Sequence, residues 1–169
     1  MAQVSFKTPW GRIRGLSFGN ANSSSKYLCL HGWQDNAALF RPLLSKLPQC
    51  NHYIALDFMG HGLSDPLPPG LPYSFNNYLY GIQYVVAEME LKKMNIIGHS
   101  MGGNVAGLYA SIYSDCVDKI VLLDAAGMPF IRHDFAGHVR KSIGKLSWRL
   151  YITTIIKHGI TLIRPNNKI

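Results

Sequence analysis

The feature that most limits how this chain can fold is the string Gly98-His99-Ser100-Met101-Gly102, with its neighbours on either side. Met94-Asn95-Ile96-Ile97 before it is a short apolar run of strand type, and Val105, Leu108 and Ile112 after it recur at helical spacing. A serine between a strand and a helix, with glycine two residues away on both sides, fits a sharp turn. There the chain reverses so tightly that side chains at the flanking positions would strike the strand and the helix. The serine hydroxyl is then lifted clear of the backbone and set at a helix N-terminus, which favours developing negative charge. Five residues alone are a weak signal, and the strand-then-helix context is what makes this one specific.

The same alternation runs through most of the chain. Gly11 to Phe18 alternates as a half-buried strand, and Tyr27-Leu28-Cys29-Leu30 is a short run ending at His31-Gly32-Trp33. Leu39, Phe40, Leu43, Leu44 and Leu47 predict a helix stopped by Pro48. His52 to Leu56 predicts a strand that leads into Asp57-Phe58-Met59-Gly60-His61-Gly62-Leu63-Ser64. A Pro-rich loop over Pro66 to Pro72 precedes a helix opening at Ser74, whose apolar face is Tyr78, Ile82, Val85, Val86 and Met89. Lys119 to Leu123 predicts a further strand ending at Asp124. Strands alternating with helices across short loops imply a mostly parallel sheet with helices on both faces. Such sheets bind ligands beyond the carboxyl ends of their strands. The His31, Asp57 and Gly98 strings all fall there.

Acyl transfer through a serine needs donors for the oxyanion of the tetrahedral intermediate. One is the backbone N–H of Met101, immediately after Ser100, and the second is expected from the loop after an earlier strand, where Trp33 is the candidate. Trp33 can serve as a packing aromatic at the same time, because the donor is backbone. His61, in a glycine-rich loop, reads as a hydrogen-bonded structural histidine rather than a base.

Together the His31-Gly32-Trp33, Asp57 to Ser64 and Gly98 to Gly103 strings resemble the α/β-hydrolase superfamily of esterases, lipases, epoxide hydrolases and dehalogenases. Leu30 to Ala37 and Val117 to Asp124 are similar, more closely, to the serine hydrolase-like proteins of animals. The resemblance implies that Ser100 is the nucleophile of a serine hydrolase acting on a small-molecule ester or acyl substrate. It also implies an acid after a later strand and a histidine after the last one. Asp124 is a candidate acid, read also as a strand-end residue bonding local backbone, and His133, His138 and His158 follow it in permitted order. Only 45 residues follow Asp124. The expectation is therefore an α/β-hydrolase fold lacking its last strands, apparently C-terminally truncated. Its alternative function is a catalytically inactive isoform that keeps the elbow.

Charge divides the chain at the same place. Residues 1–130 hold nine Lys/Arg and eight Asp/Glu, whereas residues 131–169 hold eight and one. The first span reads as the N-terminal part of a hydrolase domain. The second reads as a basic tail, the start of a cap region followed by sequence foreign to this fold. An amphipathic surface helix over Ser147 to Ile169 is the alternative. A basic tail can meet phosphates, but its excess charge is foreign to the domain, so no nucleic-acid partner is expected. The final apolar patches, broken by Lys157, His158 and Arg164, are too short for a membrane span. Cys29, Cys50 and Cys116 are an odd, widely spaced set, which argues for reduced thiols without a metal site. No signal-peptide pattern opens the chain and no peroxisomal address closes it, so a cytoplasmic location is expected. The chemistry implied uses side chains and water, with no cofactor.

Overall fold

The computed structural model describes residues 1–125 in full and the backbone of 151–156 and 159–163. Eight strands form a single sheet: β1 (Ala2–Thr8), β2 (Gly11–Gly19), β3 (Lys26–Leu30), β4 (His52–Leu56), β5 (Met94–His99), β6 (Val117–Leu123), β7 (Tyr151–Ile156) and β8 (Gly159–Ile163). Their order is β1-β2-β4-β3-β5-β6-β7-β8. The strands from β4 through β3, β5 and β6 to β7 run parallel, while β1, β2 and β8 pair antiparallel at the two flanks.

The central strands are short and apolar because both of their faces are covered. Leu28, Leu30, Ile54, Leu56 and Ile96 point to one side. There they meet helix α2 (Phe75–Glu88), through Tyr78, Ile82 and Val85, and helix α3 (Met101–Ile112), through Val105 and Tyr109. Cys29, Tyr53, Ala55 and Ile97 point to the other side, against Phe40 and Leu44. Helix α2 starts where Ser74 extends the chain and its N–H donates to the Asn77 side chain, 2.8 Å away.

Three expectations need adjustment. The helix expected over Leu39 to Leu47 is a 3-10 turn, Ala37–Phe40, followed by the single turn α1 (Arg41–Leu44). The Asn36 side chain caps the 3-10 turn by accepting from the Ala38 N–H, and single-turn bonds from Lys46 and Leu47 end the segment before Pro48. Strand β1 was not anticipated. Most of its residues face solvent, and Phe6 alone among them is buried. The third adjustment concerns the last stretch, where the surface-helix alternative gives way to strands. Val121, Leu122 and Leu123 of β6 pair with Tyr151, Ile152 and Thr153, and β8 folds back on β7 from Ile156↔Gly159. The β-branched runs at 152–156 and 160–163 favour pairing with the free edge that β6 presents.

Candidate active site

Strand β5 delivers Ser100 to the carboxyl edge of the sheet between β3 and β6. Ser100 has φ 50° and ψ −120°, a left-handed conformation that a serine adopts only when its surroundings impose it. Two backbone bonds hold it. The Ser100 N–H donates to Leu123 O of β6 at 3.1 Å, and Ser100 O accepts from Gly103 N–H at 3.0 Å. A Cβ at Gly98 would lie 2.6 Å from Gly102 O and 2.7 Å from Gly103 Cα. At Gly102 it would fall on the carbonyl oxygens of Leu30 and His31. Both glycines are thus required, one by the helix that follows and the other by the neighbouring strand end.

The loop after β3 lies directly against the serine. A Cβ on Gly32 would stand 3.1 Å from Ser100 Cβ and 3.5 Å from its Oγ. The adjoining Trp33 is 63% exposed. Met101 is the first residue of α3, so its N–H is among those an α-helix leaves without an internal acceptor.

Sequence reasoning gave no role to His31, which is completely buried. Its Nε2 accepts from Phe58 N–H at 3.0 Å, so the proton is on Nδ1, which donates to Gly32 O at 2.6 Å. One neutral imidazole thereby ties the loop after β3 to the loop after β4. Burial holds its pKa below the usual histidine value, against the opposing pull of the Gly32 carbonyl. Asp57 makes a second tie, its two carboxylate oxygens accepting from Ala37 N–H at 2.6 Å and Leu63 N–H at 2.9 Å. The only prior signal for either was its place at a strand end. His61 lies in the glycine-rich loop after β4. Its Nδ1 lies 3.1 Å from Met59 O, and its ring packs against those of His31, Trp33 and Tyr78.

Asp124 sits just past β6 with φ 43°, exposed, and without a hydrogen-bond partner among the described residues. His133, His138 and His158 lie outside the described residues.

A serine held at positive φ between a parallel strand and a helix, on a strand order of this kind, is the arrangement of the α/β-hydrolase fold. The α/β-hydrolase fold family model matches residues 28–145, and the chain belongs to that family. It is 43% identical over 136 residues to a serine hydrolase-like protein of Danio rerio, covering 80% of this chain and 41% of that protein. Against a serine hydrolase-like protein of Homo sapiens it is 40% identical over 124 residues, 73% of this chain and 61% of the relative. Among solved structures it superposes on a hypothetical protein of Pseudomonas aeruginosa PAO1 with a TM-score of 0.70 at 30% identity, covering 74% of this chain and 44% of the other. A meta-cleavage product hydrolase from Pseudomonas fluorescens IP01 gives 0.64 at 26% identity, over 73% and 45%. The chain thus spans between two fifths and three fifths of the lengths of these curated relatives. Among the described residues no helix is long and apolar enough to cross a membrane.

Proposed function

We propose that this chain carries the nucleophile half of a serine hydrolase that cleaves small carboxylic esters through an acyl-Ser100 intermediate. The observation that carries this reading is the backbone of Ser100, held at positive φ above the sheet by two glycines. In the first step Ser100 Oγ bonds to the acyl carbon, its proton passes to a base, and the alkoxide leaves as the alcohol with a proton from that base. Water then attacks the acyl-serine, releasing the acid and restoring the hydroxyl. The Trp33 and Met101 N–H groups are the oxyanion donors in this reading. The closeness of Gly32 to Ser100 supports Trp33, and the helix N-terminus supports Met101. Asp124 is the candidate acid, and the base is one of the histidines after it. The three unpaired cysteines support a cytoplasmic location.

A second reading is a non-catalytic isoform that keeps the elbow. Without a base, the serine is a weak nucleophile and only a small residual rate is left. Hydrolysis of p-nitrophenyl acyl esters by the purified chain separates the two. Turnover lost on Ser100→Ala supports the enzyme. A folded chain no faster than Ser100→Ala supports the inactive form.

A further inference from the structure

Between the loops that follow β3 and β4 opens a cleft of about 360 Å³. Its walls come from three places in the sequence: Trp33, Gln34 and Asp35 after β3, Gly60 to Gly62 after β4, and Tyr73 with Tyr78. That volume is in the range of small-molecule sites. Another cavity among the described residues, about 10 Å³ beneath α2, has room for one water at most.

The lining is aromatic. The His61 ring meets Trp33 at 5.9 Å and Tyr78 at 6.1 Å, edge-on in both cases. Tyr73 packs over Gly60, where a Cβ would lie 2.7 Å from its Cζ, and the Tyr73 hydroxyl accepts from Leu67 N–H at 3.0 Å. Edge-on rings around a gap leave faces and edges free for one more ring. Tyr78 adds the polar element. It is 4% exposed, and its hydroxyl is buried with no hydrogen-bond partner among the described residues. Native structures rarely leave such a donor unmet. Burial raises its pKa, with Tyr73 adding to the effect, so the hydroxyl keeps its proton and remains a donor.

We propose that the cleft is a subsite for an aromatic ring bearing an oxygen acceptor, the ring packing against Trp33 and His61 and the acceptor taking the Tyr78 O–H. That this ring belongs to the substrate rests on the serine-hydrolase reading, because Trp33 both lines the cleft and supplies the proposed oxyanion donor. The subsite itself does not depend on turnover. The Tyr78 hydroxyl lies beneath the lining, so the proposal requires an exposed wall residue, Trp33 or Tyr73, to turn aside when the ligand enters.

The test uses the full chain with Ser100→Ala and three alcohols: 4-methoxybenzyl alcohol, 4-methylbenzyl alcohol and (4-methoxycyclohexyl)methanol. Binding is read from the Trp33 indole N–H resonance, assigned with Trp33→Phe. The first alcohol should bind about fivefold more tightly than the second, which lacks the acceptor, and than the third, which lacks the ring. In Ser100→Ala/Tyr78→Phe the advantage over 4-methylbenzyl alcohol should vanish while the preference for the ring persists. Equal affinities for all three, or no shift of the Trp33 resonance, would overturn the subsite. An ester-hydrolysis assay without turnover, alongside selective binding, would instead count against the serine-hydrolase reading alone.

Discussion

The two ends of the sheet each hold a serine near a histidine, and they are built for opposite purposes. At the amino ends of β3 and β4, Ser17 Oγ lies 2.8 Å from His52 Nε2, a contact that on distance alone resembles an activated nucleophile. Lys26 Nζ sits 3.1 Å from His52 Nδ1, however, and an ammonium can only donate. Nδ1 is therefore the acceptor, Nε2 carries the proton, and the imidazole donates to Ser17 rather than receiving its proton. Ser17 also lies within β2, paired with Ile54, where nothing strains its backbone. At the carboxyl ends, Ser100 has no hydrogen-bonded histidine among the described residues, yet it holds the strained backbone, the flanking glycines and the helix N-terminus. The contrast teaches that a serine site is recognised by backbone geometry and proton direction, not by the nearness of an imidazole.

The comparison can be broken in graded steps. The largest effect is expected from Gly102→Ala, whose Cβ meets two backbone carbonyls that cannot rotate away. It should cost about 3 kcal/mol or more, read as a lower urea midpoint. His31→Ala should cost about 2 kcal/mol, since the Phe58 N–H and Gly32 carbonyl are then buried without their partner. The same histidine, with His52, sets an acid limit. Burial lowers the pKa of both, and Lys26 adds to the effect at His52, so the unfolded chain binds more protons between their folded values and about 6.5. Stability from these groups is complete above about pH 6.5 and is lost as the pH falls toward the folded values. Urea midpoints should therefore drop on acidification, and less steeply in His52→Gln.

Smaller changes sharpen the contrast. Ser100→Gly should raise stability by about 1 kcal/mol by releasing the positive-φ strain, whereas Ser17→Gly in the strand should lower it by a similar amount. A rise at Ser17 or a fall at Ser100 in thermal melts would show that the strain is assigned to the wrong serine.

Much of this was legible before any coordinates, because the information was local. The elbow string specifies its own turn, and the central strands are bounded by glycine-rich ends, so β4 and the start of α2 fall where the sequence placed them. Contacts distant in sequence were not legible. The His31 tie depends on Phe58, 27 residues away, and the Asp57 tie on Ala37. The strands at the end of the chain were not legible for a different reason. The apolar runs there belong to β7 and β8, which pair antiparallel with Ile156 opposite Gly159, a long-range arrangement that no local period announces.

The most direct test of the central claim is to label the chain with a fluorophosphonate probe and map the modified residue by peptide mass spectrometry, alongside Ser100→Ala and Ser17→Ala. The account predicts adduct on Ser100, lost in Ser100→Ala and unchanged in Ser17→Ala. Adduct on Ser17, or none on folded protein, would contradict the assignment of Ser100 as the nucleophile of this chain.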